Sequence, residues 1–209
     1  MKIGLDLDGT LISCKEKQIQ CLRDGLECFA DDMDWGDIWH RKRNGATNFA
    51  ALKSCGVPED CIAKASLFWN LNIESEVYQG LDYVFPGAFE ALAKLHELGP
   101  LHLISARKNK DTFISQISRL GLSSHFHEAI VVSDANVREG KASLIRELDI
   151  ECYIGDTETD WGASVTADSI PYILCTGQRS EQFLRKFGIA AIYQSLDEVA
   201  EKLHASYGE

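Results

Sequence analysis

No stretch of this 209-residue sequence approaches the roughly 20 consecutive apolar residues of a membrane span. The amino terminus enters Lys2-Ile3-Gly4-Leu5-Asp6 without the apolar core of a signal peptide. Positive charge is also scarce: 21 Lys and Arg stand against 32 Asp and Glu, a formal net charge of −11. That balance argues against general binding to nucleic acid or to anionic membranes. The seven cysteines are an odd number, which argues against a disulfide framework and for reduced thiols in a cytoplasmic protein. Aromatics at 9% and charged residues at 25% are ordinary, so disorder, collagen and coiled coil are excluded. With 45% apolar residues the chain can bury a full core, and its length suits one α/β domain with a modest insertion.

The pattern along the chain divides it in two. Lys2 to Asp8 reads as a buried strand ending in carboxylates and a Gly9-Thr10 turn. From Ser13 to about Asp82, apolar residues recur at helical intervals among charges, with breaks at Asp31–Asp34, Asn44-Gly45 and Gly56–Pro58. After Phe85-Pro86-Gly87 the rhythm alternates. Helices are expected over Ala88–Leu98, Asp111–Leu120, Ala142–Leu148, Trp161–Ala167, Glu181–Phe187 and Leu196–His204. Strands are expected over Leu101–Ser105, Glu128–Ser133, Cys152–Gly155, Tyr172–Cys175 and Ala191–Tyr193. Such alternation predicts an α/β fold: a doubly wound, Rossmann-like parallel sheet with helices on both faces. The core then comprises residues 1–12 and 85–209, and residues 13–84 form a small α-helical cap inserted after the first strand.

Ligands of doubly wound sheets gather at the carboxyl ends of the strands. There the sequence delivers Asp6 and Asp8, then Ser105, then Asp156 with Asp160 beyond it, and Lys141 is expected to open the helix before that last strand. Converging carboxylates repel unless a cation sits among them, and a sparse oxygen-only set selects magnesium over calcium. Asp6 and Asp8, two apart on a strand, face the same side. One can attack phosphorus while the other moves the proton, the division of labour of an aspartyl-phosphate mechanism. Ser105 and an ammonium complete a phosphoryl cradle; Lys108 and Lys110 rival Lys141 for the latter. Asp160 also fits a capping box with Thr157, which is compatible with a metal role.

Asp6-Leu7-Asp8-Gly9-Thr10, Leu103-Ile104-Ser105, Lys141 and Gly155-Asp156-Thr157-Glu158-Thr159-Asp160 resemble the four ordered motifs of the haloacid dehalogenase superfamily over essentially the whole chain. The insertion resembles the helical cap of its phosphoglycolate-phosphatase-like members. The resemblance implies Asp6 as nucleophile and Asp8 as general acid/base. It implies Mg²⁺ held by Asp6, Asp156 and the Asp8 carbonyl, with Asp160 assisting, and a phosphoryl group held by Ser105, Ala106 and Lys141 with Thr10 in support. Asp8 favours phosphoryl chemistry over dehalogenation, because a halide needs no proton. The expected activity is hydrolysis of a small phosphorylated metabolite by a monomer or homodimer. A sugar phosphomutase is the alternative, and a receiver-like phospho-switch a more distant one. Within the cap, Trp39, Arg41 and Arg43 are candidates for specificity, as is Arg107 in the core; an amphipathic helix with buried Trp and solvated Arg accounts for the first three equally simply. Trp69 carries the same ambiguity. Cys14, Cys21 and Cys28 recur every seven residues and are expected to pack as small apolar residues. His125 and His127 are expected to alternate on a strand entry.

Overall fold

The computed structural model describes residues 1–26, 30–31, 33–133 and 136–208. Cys28 lies outside the described residues. Six strands form one parallel sheet: β1 (Ile3–Leu5), β4 (Leu101–Ala106), β5 (Glu128–Val132), β6 (Cys152–Gly155), β7 (Ile170–Leu174) and β8 (Ile192–Tyr193), in the order β5-β4-β1-β6-β7-β8. Being central, β1 is buried on both faces, which is why Ile3, Gly4 and Leu5 carry no polar side chain.

Helices α6 (Ala88–Leu98), α7 (Lys110–Arg119) and α11 (Leu196–Tyr207) cover one face of the sheet. Leu92, Leu95, Phe113, Ile117, Val199 and Leu203 pack there on Ile3, Leu5 and Leu103. Helices α8 (Val137–Glu147) and α9 (Glu158–Thr166) cover the other, with Ala142, Ile145 and Ala163 on Ile104 and Tyr153. α10 (Glu181–Lys186) closes the edge through Leu184 on Ile173.

Among the described residues, five helices lie between two short strands, β2 (Ile12–Ser13) and β3 (Tyr83–Val84), that pair antiparallel. They are α1 (Lys15–Leu26), α2 (Trp35–Arg43), α3 (Asn48–Ser54), α4 (Glu59–Asn72) and α5 (Glu76–Gln79). Leu22, Leu26, Ile38, Leu52, Ile62 and Ala65 give them a hydrophobic core of their own. Two of these helix starts have a local cap: the Asp34 side chain accepts from Asp37 N–H at α2, and Thr47 does the same for Ala50 at α3.

Three expectations are corrected. α8 begins at Val137 rather than Ala142, so Lys141 does not open it but stands in its second turn; the Asn136 side chain, accepting from Glu139 N–H, caps the earlier start. α9 begins at Glu158 rather than Trp161, because Thr157 and Asp160 form the capping box. His125 closes a 3₁₀ turn (Ser123–His125) and its ring meets Phe89 at 5.4 Å, so it does not alternate with His127 on a strand. Cys14 and Cys21 are both buried, Cys21 among Ile73 and Tyr78.

Candidate active site

The parallel register ends β1 at Leu5, beside Leu103 and Ile154, so Asp6 is the first residue past the sheet and Ser105 and Asp156 flank it. A sharp turn follows, with Gly9 N–H donating to Ile12 O at 2.8 Å. Gly9 has φ +83°, and a Cβ on it would stand 2.1 Å from Asp156 Oδ2. Only glycine lets the turn approach that carboxylate so closely. Gly177, in the loop after β7, meets the same limit: its Cβ would lie 2.2 Å from both Asp156 Oδ2 and Gly9 Cα.

Asp6, Asp156 and Asp160 form a buried cluster whose nearest oxygens all lie within 4.8 Å of one another. Lys141 Nζ bridges two of them, at 2.8 Å from Asp6 Oδ1 and 2.6 Å from Asp160 Oδ1. The other oxygen of Asp160 serves its helix, accepting from Thr157 N–H at 3.1 Å. Asp156 Oδ2 accepts from Gln178 N–H at 2.5 Å, while its Oδ1 is buried with no partner. Burial, joined by the repulsion of Asp160 and Asp8, outweighs the Lys141 ammonium and leaves the Asp6 carboxyl pushed up to about 6. Burial and the repulsion of Asp160 and Asp6 raise Asp156 well above the carboxylate range. An orphaned buried oxygen and three crowded carboxylates with one ammonium between them fit a hard divalent cation.

Asp8 is held differently. Burial opposes its charge, yet Arg107 and Lys17 outweigh that and hold the carboxyl at about 2. Arg107 pairs with Asp8 Oδ2, and Lys17 Nζ lies 3.1 Å from Oδ1 and 2.7 Å from Asp82 Oδ2. Gln116 donates to the same Asp82 oxygen at 2.6 Å. Lys17 enters from the first turn of α1 and Asp82 immediately precedes β3, so one buried network ties both short strands to Asp8.

A crevice of about 270 Å³ opens over these groups. Its lining brings together Asp6, Asp8, Ser105, Ala106, Arg107 and Lys141, with Asp160 at its base. Asp156 is fully buried beneath. Thr10 stands apart: it lines a second cavity with Phe85 and Leu196, and its hydroxyl is buried without a partner. Arg41 is exposed and paired with Asp37 at 2.6 Å. Arg43, on α2, braces the helical insertion against the loop after β7, donating to the carbonyls of Cys175 and Arg179. Trp39 is half-buried beside Lys42.

Lys17, Asp82 and Gln178 join the site without any flag in the sequence, and Lys42 stands behind Gln18. The one available signal was Gly177, a glycine just past a strand's carboxyl end. Lys42 is 8% exposed and donates to Gln18 Oε1 at 2.6 Å; among the described residues it forms no ion pair. Burial pushes its ammonium down to about 8. A lysine depressed in the fold loses stability wherever it is charged, fully below pH 8 and not at all above the unfolded value near 10.4. Lys42→Met is therefore expected to stabilise the protein by about 3 kcal/mol at pH 7. In denaturant titrations, that gain over the parent should shrink as the pH rises from 8 to 10; a constant gain refutes the assignment.

The sequence matches the family profile of the haloacid dehalogenase-like hydrolases over residues 3–170, and the chain belongs to that family. No curated protein sequence matches it significantly. Among solved structures, a haloacid dehalogenase-like family hydrolase from Streptococcus pneumoniae superposes with a TM-score of 0.76 at 17% identity, over 97% of both chains. A protein named a candidate phosphoglycolate phosphatase, from Lactobacillus delbrueckii subsp. bulgaricus, gives 0.74 at 18% identity, over 100% of this chain and 98% of that one. A candidate β-phosphoglucomutase from Thermotoga maritima gives 0.66 at 16% identity, over 98% of each. These likenesses establish the shared fold.

Proposed function

We propose that this protein is a Mg²⁺-dependent phosphomonoester hydrolase that acts on a small phosphorylated metabolite through an aspartyl-phosphate on Asp6. The observation that carries this reading is one crevice in which Asp6 and Asp8 face Ser105, Arg107 and Lys141 above a buried carboxylate cluster. Asp6, Asp156 and the Asp8 carbonyl, with Asp160 nearby, would hold magnesium, which would supply charge neutralisation at the phosphoryl oxygens. Ser105, Ala106 N–H and Lys141 hold those oxygens, and Lys141 keeps Asp6 oriented.

The Asp6 carboxylate attacks phosphorus as the bond to the leaving oxygen breaks, and that oxygen takes a proton from Asp8. Asp8 then accepts a proton from water, whose oxygen attacks the acyl phosphate, releasing phosphate and restoring Asp6. With two cations beside it, Asp8 rests as a carboxylate suited to the second half. The first half requires Arg107 to turn from Asp8 to the arriving phosphoryl dianion, which lies on the same crevice wall. The cap rests on the core at two rims, where Glu74 accepts from Lys108 N–H at 3.0 Å and Ser180 N–H donates to Arg43 O at 2.9 Å. Closure of this kind keeps bulk water from the intermediate.

p-Nitrophenyl phosphate should release inorganic phosphate with Mg²⁺ present and lose at least about a hundredfold of that rate in EDTA. An equal rate in EDTA rejects the reading.

A further inference from the structure

A smaller cavity of about 180 Å³ adjoins the crevice; Asp8 and Arg107 line both, so it begins where the leaving alcohol must stand. Its remaining walls include Lys17 and Gln18 from α1, and Trp69 and Glu74 from the end of α4 and the turn after it. Its volume is below the roughly 300 Å³ at which pockets for drug-sized ligands begin, which suits a short substituent.

This wall carries more donors than acceptors. Trp69 Nε1 and Arg107 Nε are both buried with no hydrogen-bond partner among the described residues. Behind Gln18 stands Lys42, its ammonium 6.0 Å from the ring centroids of both Trp39 and Trp69 and bonded to Gln18 Oε1. The acidic groups here are already engaged: Asp8 by Lys17 and Arg107, Glu74 by Lys108 N–H at 3.0 and 3.2 Å from its two oxygens. Gln178 Oε1 accepts from Gln18 Nε2 at 3.3 Å. Buried donors without acceptors are rare in native proteins, and a buried ammonium without a counter-charge is rarer. Neither aids folding, so their concentration beside the reaction centre calls for a ligand.

We propose that this cavity receives a second anionic group of the substrate, carried on the leaving alcohol, with Trp69 Nε1, Arg107 Nε and Lys42 as its donors. Lys42 reaches the group by exchanging Gln18 Oε1 for it, its ammonium lying beside the Trp39 and Trp69 rings. The inference rests on the phosphatase reading above and specifies its substrate: a phosphomonoester of a short alcohol bearing a carboxylate or a second phosphate.

Three esters on one three-carbon frame test it: glycerol 3-phosphate (hydroxyl), 3-phosphoglycerate (carboxylate) and propane-1,3-diol bisphosphate (second phosphate). At least one anionic ester should exceed glycerol 3-phosphate in kcat/KM by about tenfold or more. The preferred one identifies the anion. Lys42→Met and Trp69→Phe should each bring that ratio down by about fivefold or more, whereas Lys42→Arg, which keeps the charge, should retain most of it. A ratio near one in the parent, or one unmoved in both variants, overturns the inference. p-Nitrophenyl phosphate assayed alongside separates the two failures: hydrolysis of it with a ratio near one rejects the cavity assignment and leaves the phosphatase reading standing. If no ester is hydrolysed, that reading fails instead. Calorimetric titration with free glycerate and with propane-1,3-diol monophosphate then decides the cavity without turnover. Saturable binding that Lys42→Met weakens supports the inference, and no binding of either overturns it.

Discussion

Asp6→Asn is expected to lower phosphate release by about 10⁴-fold or more while making the metal-free protein more stable. The two effects share a cause. Asn occupies the same volume and its carbonyl oxygen can still accept from Lys141, but an amide cannot form the acyl phosphate. In the fold, the Asp6 carboxyl lies above its ordinary value, at about 6, because burial and neighbouring carboxylates disfavour its charge. That destabilisation is complete above pH 6 and absent below the unfolded value near 3.9. Removing the charge therefore gains up to about 3 kcal/mol at pH 7.5, and the gain should vanish between pH 6 and pH 4. Chemical denaturation of parent and variant in EDTA, across that range, measures it. Activity within tenfold of the parent eliminates Asp6 as the nucleophile.

Lys141→Met carries the second large effect, with the opposite sign in stability. Lys141 is 3% exposed and is the ammonium shared by Asp6 and Asp160. Burial works against its charge, yet Asp160 and Asp6 raise its pKa well above the ordinary lysine value. Its contribution is thus present throughout the neutral range and is lost only as the pH rises through that raised value. Without it, two buried carboxylates lose the ammonium that answers their repulsion and are left unpaired or forced to take up a proton, which costs about 3–5 kcal/mol. Hydrolysis should fall by about 10³-fold, since in the proposed mechanism the same ammonium holds the phosphoryl oxygens. Added Mg²⁺ should restore part of the thermal stability, because a second cation in the cluster answers the same repulsion. A variant that melts with the parent shows Lys141 to be dispensable to the cluster.

The parts of the site legible in the sequence are those tied to strand ends. A buried strand must stop being apolar where it leaves the sheet, so Asp6, Asp8, Ser105 and Asp156 announce themselves as polar residues closing apolar runs. Asp160 was legible through its spacing from Thr157, because a capping box is a contact three residues apart. Lys141 was legible only as a residue of the right kind in the right interval. Its helix start was misplaced, because the Asn136 cap lies five residues upstream.

Residues that reach the site from the cap had no such marker. Lys17, Gln18, Lys42 and Trp69 sit on amphipathic helices whose periodicity reports that a face is buried, not against what. Arg41 and Arg43 differ by two positions on α2, yet one points to solvent and the other into the core's Cys175–Arg179 loop. Arg107 read as a charge at a helix start, and only the folded chain sets it against Asp8.

The sequence by itself therefore determined the alternating α/β architecture, the crevice at the strand ends and the carboxylates that line it. These follow from contacts of short range and from the period of burial. Tertiary structure alone decided which cations face which carboxylates. It docked α1, α2 and α4 over the crevice, gave Asp8 two cationic partners and Lys42 no ion pair among the described residues, and so made one carboxylate strongly acidic and another weakly so. Charge is felt through space at a few ångströms, and chain order does not encode that distance.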